Sequence, residues 1–156
     1  MTRTFNNFTR AKIAGYRSGL EDKVAKQLQE VGLEYKYEAK EDKVKYRTPP
    51  KDHTYTPDFT FDSHIIIETK GRFVVADRQK HILIKQQHPE LDIRFVFSNS
   101  KAKISKASKT TYADWCDKHG FKYADKWIPD EWLQEIRDIQ LSRKEEKGVK
   151  TKSRKS

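Results

Sequence analysis

Tyr55-Thr56-Pro57-Asp58-Phe59-Thr60-Phe61 and, after Asp62-Ser63, His64-Ile65-Ile66-Ile67-Glu68-Thr69-Lys70 are the two stretches on which the fold turns. Both are rich in β-branched and aromatic residues, and a two-residue break between them is the pattern of an antiparallel hairpin. Ile65-Ile66-Ile67 does not alternate with polar residues, which predicts a central strand covered on both faces. Residues 68 and 70 are two apart, so Glu68 and Lys70 leave that strand on the same side. The short turn returns Asp58 to that side, and two carboxylates and an ammonium converge. Carboxylates held together repel unless a cation joins them, and an all-oxygen set suits Mg²⁺ or Mn²⁺. An ion held there polarises a phosphoryl oxygen and acidifies water, while Lys70 orients the attacking water or neutralises developing charge. Alone, Pro57-Asp58 reads as a turn dipeptide and Glu68-Thr69-Lys70 as a solvated charge pair. Together on hairpin-linked strands of a basic chain, Asp58, Glu68 and Lys70 point to metal-assisted phosphodiester hydrolysis.

Downstream, Ala76 to His88 has helical character and Pro89 closes it, after which Ile93, Phe95 and Phe97 give another strand. Residues 64–97 therefore form a strand-helix-strand unit with parallel strands, so the sheet is mixed and the fold α/β. A Lys/Ser-rich loop spans 98–109, a helix spans 112–119 with Gly120 as its stop, and Pro129 opens an amphipathic helix carrying Trp132, Leu133, Ile136 and Ile139. Upstream, Leu20, Val24, Leu28 and Val31 lie on one helical face that Gly32 ends, and Leu33, Tyr35, Tyr37 and Ala39 alternate as in a half-buried strand. Residues 41–53 are charged and contain Pro49-Pro50, which predicts a stiff extended connector rather than a packed element. Ser18-Gly19-Leu20-Glu21 fits a capping box. The pattern alone favours Glu21 as cap over Glu21 as a further inward carboxylate.

The 156 residues make one ordinary domain, and the net charge of +10 is concentrated at the ends. Residues 1–17 carry Arg3, Arg10, Lys12 and Arg17 with no acid, and residues 143–156 hold seven basic residues against two glutamates, which leaves the middle nearly neutral. The division that follows is a flexible basic N-terminal arm at 1–17, a single domain at 18–142 and a flexible basic tail at 143–156. Basic ends on a neutral body suit phosphate contact through counterion release, and make Arg3, Arg10, Lys12 and Arg17 the candidate DNA-binding residues. Cys116 is alone, which excludes an intramolecular disulfide and fits a reducing compartment. No apolar run approaches the roughly 18 residues of a membrane span, and none resembles a signal peptide, so a soluble cytoplasmic protein is expected. His53, His64, His81, His88 and His119 are not spaced as a zinc site, and Trp115, Trp127 and Trp132 have the neighbours of core residues.

Arg17-Ser18-Gly19-Leu20-Glu21-Asp22-Lys23-Val24, His53-Thr54-Tyr55-Thr56-Pro57-Asp58-Phe59, Glu68-Thr69-Lys70-Gly71, Gln87-His88-Pro89-Glu90-Leu91-Asp92-Ile93-Arg94 and Lys118-His119-Gly120 carry a further signal. In order and spacing the chain resembles the endonuclease I family of T-seven-like bacteriophages, Holliday-junction-resolving enzymes of the PD-(D/E)xK nuclease superfamily. The likeness runs from about Arg17 to Trp132. It implies a restriction-endonuclease-like core, a central mixed β-sheet flanked by helices, in an intertwined, domain-swapped homodimer. It also implies Mg²⁺-dependent cleavage of four-way junctions and other branched DNA in phage recombination, with 5′-phosphate products, in the cytoplasm of the host. Carried onto this chain, Asp58, Glu68 and the Thr69 carbonyl are metal ligands, Lys70 is the catalytic lysine, and Glu21 is the remaining acid and a further ligand. The resemblance moves Glu21 from cap to chemistry and places it against the partner's site, with 41–53 as the exchange bridge. The alternatives are another nuclease of the same core, such as an exonuclease or nicking enzyme, and a junction-binding protein without activity.

Overall fold

An isoleucine run surrounded by apolar helices buries both of its sides. In the computed structural model, which describes residues 15–48 and 51–153, Ile65 and Ile67 enter one apolar cluster and Ile66 enters a second on the opposite face. Each such side chain contributes about 1.5–3 kcal/mol by leaving water. In chain order the elements are helix α1 (Gly19–Glu30), strand β1 (Lys36–Tyr37), a 3₁₀ turn (Lys40–Asp42), β2 (Val44–Thr48), β3 (Lys51–Tyr55), β4 (Phe59–Thr60), β5 (Ile65–Lys70), α2 (Val75–Gln87), β6 (Asp92–Phe97), α3 (Tyr112–His119), β7 (Lys122–Asp125) and α4 (Asp130–Ser153).

The main sheet has the order β1-β4-β5-β6-β7. β4 pairs antiparallel with β1 and β5, whereas β5–β6 and β6–β7 are parallel, with Lys70 opposite Phe97. Val24, Ala25 and Leu28 of α1 and Trp132, Leu133 and Ile136 of α4 cover one face; Ile84 of α2 and Tyr112, Trp115 and Cys116 of α3 cover the other. The mixed sheet flanked by helices agrees with the sequence. Arg94 is fully buried toward α4, where its guanidinium takes Glu135 at 2.7 and 2.9 Å and Asp92 at 2.7 Å. Burial lifts the thiol of Cys116 on α3 to about 12. Among the described residues no helix is long and apolar enough to cross a membrane.

Helix α3 has the predicted bounds, with Thr111 and Asp114 closing a capping box and Gly120 in the left-handed region at φ 74°. Elsewhere the structure departs from the sequence reading. The alternating stretch 33–40 yields only a two-residue β1, because Glu38 adopts φ 45° and turns the chain out of the sheet. The expected strand over 55–61 is broken at Pro57-Asp58, so Tyr55 ends β3 and β4 begins at Phe59.

The segment 41–53, expected as an extended connector, instead packs. β2 and β3 form a hairpin with register from Val44↔Tyr55 to Thr48↔Lys51, and Pro49-Pro50 lie outside the described residues. Half-buried Val44 and Tyr46 alternate with exposed Lys45 and Arg47, and both apolar side chains join the α2/α3 cluster, which explains the packing. β7, a polar edge strand, was not anticipated. The tail expected to be flexible from Arg143 is helical to Ser153, because α4 runs on for 24 residues and Arg143 donates to the Asp62 carbonyl. The expectations for Arg3, Arg10 and Lys12 fall outside the described residues.

Candidate active site

β5 ends at the carboxyl edge of the parallel strands, where side chains emerge from the sheet toward flanking loops. Glu68 is buried there, and its Oε2 accepts the Tyr55 hydroxyl at 2.5 Å and the Asp58 N–H at 3.2 Å. Its Oε1 faces Lys70 Nζ at 3.6 Å and His81 Nε2 at 4.0 Å. Asp58 is fixed in turn by Thr69, whose N–H and hydroxyl both donate to Oδ2 at 2.9 Å. The proline before Asp58 and the break between β3 and β4 let this carboxylate lie across the end of β5 rather than follow a pleat. Burial, and then the charge of Asp58, raise the Glu68 carboxyl to about 8, although Lys70 and the two hydrogen bonds pull the other way. The Tyr55 hydroxyl is raised well above its ordinary range by burial and by Glu68.

Helix α1 brings a further acid. Ser18 Oγ caps the helix by accepting the Glu21 N–H at 3.1 Å, while the Glu21 carboxylate accepts the Arg17 N–H at 2.8 Å and the Tyr37 hydroxyl. The cap and the inward carboxylate therefore coexist, since the side chain of Glu21 reaches one residue past the position a reciprocal capping box would use. Burial, opposed by Tyr37 and assisted by Asp58, raises Glu21. Carboxylate oxygens of Glu21, Glu38 and Asp58 all lie within 4.8 Å of one another. The Arg17 guanidinium joins all three, with Nη2 3.1 Å from Asp58 and 3.7 Å from Glu21, and Nε paired with Glu38. Burial alone would lower Arg17, but the charges of Asp58, Glu21 and Glu38 outweigh it and raise it.

A hard divalent cation fits this setting. The donors are carboxylate oxygens, as such ions require, and the cluster already draws a cationic group into its middle. Glu68 is not one of the trio but is tied to it through the Asp58 N–H. Lys70 lies 3.7 Å from Asp77 of α2, which holds the ammonium between two acids. Beside these residues a recess of about 320 Å³ is lined by Ser18, Lys23, Gly71, Ser98 and Lys126.

The structure thus brings Glu21, Asp58, Glu68, Thr69 and Lys70 of one chain to one end of the sheet. Arg17, expected among DNA contacts, pairs here with all three acids. Glu38, Tyr37, Tyr55, Asp77 and His81 were missed. Glu38 sat on the presumed solvent side of an alternating strand, and only its left-handed backbone turns it inward. Asp77 and His81 are four apart on α2, a spacing that the single face of a helix would have shown once β5 was known to pack beside it.

The sequence profile of the family described as phage endonuclease I matches residues 1–154. The chain is 51% identical over 140 residues to Endonuclease I of Escherichia phage T7, covering 89% of this chain and 93% of that protein. It is 50% identical over 137 residues to Endodeoxyribonuclease 1 of Enterobacteria phage T3, covering 86% and 89%. A profile match along nearly the whole chain, together with two relatives at half identity, places this protein in the phage endonuclease I family.

Proposed function

We propose that this chain is a structure-selective endodeoxyribonuclease that resolves four-way junctions and cuts branched DNA by divalent-metal-dependent hydrolysis, leaving 5′-phosphate ends. The convergence of Asp58, Glu68 and Lys70 beside Glu21 is the observation that carries this reading. The names of the relatives, one an endonuclease and one an endodeoxyribonuclease, support it. Mg²⁺, with Mn²⁺ as a substitute, would be held by Asp58, Glu68 and the Thr69 carbonyl, with Glu21 as a further ligand. When bound, such an ion polarises the scissile phosphate, makes water a stronger acid and stabilises the leaving oxygen.

The protein's own groups supply orientation and charge. Thr69 fixes Asp58 in one rotamer, and Tyr55 with the Asp58 amide fixes Glu68, so neither acid must reorganise as charge develops. Lys70, held between Glu68 and Asp77, is placed to hydrogen-bond the attacking water or a phosphate oxygen. Lys23 and Lys126 in the adjoining recess suit a neighbouring phosphate.

Junction resolution needs two symmetric cuts, which a homodimer with a twofold axis supplies. Opening of the β2–β3 hairpin would let α1 and β1 cross to a second chain and place Glu21 in the partner's site with the same contacts it makes here. Mixing a Glu21→Ala chain with a Lys70→Ala chain tests this exchange: one intact site, and partial activity, is expected in the heterodimer, and none would count against shared sites. Incubation of a synthetic four-way junction, a linear duplex and a single strand with Mg²⁺ or with EDTA tests the activity. Paired Mg²⁺-dependent cuts in the junction alone are expected. Digestion from ends would favour an exonuclease, and binding without cleavage a junction-binding protein.

A further inference from the structure

His81 occupies a position where an aliphatic residue would be cheaper. It lies on the covered face of α2 and is fully buried, with the Tyr55 and Phe95 rings edge-on at 5.2 and 4.9 Å. Among the described residues, neither ring nitrogen has a hydrogen-bond partner. A neutral imidazole carries one N–H to give and one lone pair to fill, and a buried polar atom left unmatched bears its full desolvation cost. Native cores seldom tolerate such a group without a use for it.

The polar atom it faces is Glu68 Oε1, 4.0 Å from His81 Nε2. Oε2 of the same carboxylate is engaged by Tyr55 and the Asp58 amide, whereas among the described residues the ion-pair partner nearest Oε1 is the ammonium of Lys70, at 3.6 Å. A gap of 4.0 Å is about 1 Å beyond a hydrogen bond. Active-site hydrogen bonds are often long before ligands arrive and shorten as the site fills. One turn earlier on the same helix, Asp77 holds Lys70, so this face of α2 addresses both ends of Glu68-Thr69-Lys70.

We infer that His81 is a positioning residue for the metal-ligating carboxylate: its Nε2–H closes on Glu68 Oε1 when a divalent cation is bound and holds that carboxylate in its ligating orientation. The inference rests on the assignment of Glu68 as a metal ligand. Partners that orient ligating carboxylates are typically worth about 10–100-fold in metal affinity.

The test measures Mn²⁺ binding by calorimetry and metal-free thermal melting for the full chain and for Glu68→Gln, His81→Leu, His81→Met and His81→Gln. His81→Leu and His81→Met are expected to weaken Mn²⁺ binding about 10-fold or more while the metal-free melting temperature stays level or rises, because an unmatched polar ring has been removed. His81→Gln, whose amide nitrogen can stand near Nε2, should recover most of the affinity. Ordinary core packing would give the opposite pair of results, lower melting with unchanged affinity, and would overturn the inference. Two apolar variants of different shape guard against one that does not fold; if both melt below the wild type, the inference falls. Wild type and Glu68→Gln binding Mn²⁺ alike would defeat the ligand assignment itself, and His81 with it. A large Glu68→Gln effect with wild-type affinity in both apolar His81 variants would defeat the His81 role alone.

Discussion

Glu68 keeps its two oxygens in different company, one held by donors and one turned to Lys70 and His81, and its ionisation follows from that enclosure. Its carboxyl is raised from 4.5 to about 8 in the fold, first by burial and then by Asp58. The folded state therefore binds this proton more tightly than the unfolded state. The associated stability is complete below about pH 4.5 and drains away as pH rises through about 8. In chelator, Glu68→Gln should melt increasingly above wild type as pH goes from 5 to 9, as followed by circular dichroism; a constant difference would contradict the protonated, enclosed carboxyl. Arg17 is the second residue-scale case. Its guanidinium neutralises Glu21, Glu38 and Asp58, so Arg17→Ala should lower the metal-free melting temperature near neutral pH, and added Mn²⁺ should restore it. A loss that Mn²⁺ leaves untouched would mean that Arg17 and the ion do not answer the same charges.

At the scale of elements, β5 and α1 are where sequence and structure speak most directly to each other. Ile67 is fully buried against α1 and α4, so Ile67→Ala should cost about 2–5 kcal/mol in urea unfolding, the range for truncation in a packed core. Ser18→Ala removes the acceptor for the Glu21 N–H and should cost about 1 kcal/mol, with a loss of positioning for Glu21 besides. The double-sided burial of β5, the parallel β5–α2–β6 unit and helix α3 were legible because an unbroken isoleucine run, a closing proline and a left-handed glycine each leave a local mark. The β2–β3 hairpin was hidden by its charge and its two prolines, although Val44 and Tyr46 carried the period of a strand. β7 has exposed ends and half-buried middle residues, too little contrast to announce an edge strand. Of the candidate site, the meeting of Glu68 and Lys70 was legible from their spacing on β5, whereas Asp58 reaches them from the break between β3 and β4 rather than from a strand. Glu38 and His81 could not, since their inward direction depends on a backbone reversal and on which face of α2 the sheet covers.

For the molecule as a whole, the long helix α4 is the brace. Arg137 donates to the Val31 carbonyl at 2.6 Å and Gln140 to the Glu34 carbonyl at 3.1 Å, while Gln27 of α1 bonds both the N–H and the carbonyl of Ile128 at 2.9 Å. Exchange of α1 between chains would have to rebuild every one of these bonds across the pair. The same molecule-wide view governs affinity for nucleic acid. Lys23→Ala with Lys126→Ala should weaken junction binding and flatten the plot of log K against log salt by roughly 0.9 for each phosphate that is no longer neutralised. An unchanged slope in a filter-binding or anisotropy titration would remove the recess from the DNA path. The single sulfhydryl of the sequence sits on the buried face of α3 with no access to solvent. A cysteine introduced at exposed Leu141 would then be the one thiol per chain that a maleimide spin label or dye can reach in the folded protein, with nothing native to delete first. In the proposed homodimer, two such labels would act as a molecular ruler, reporting the separation of the braces by dipolar spectroscopy or energy transfer while the candidate-site end of the sheet is left unaltered.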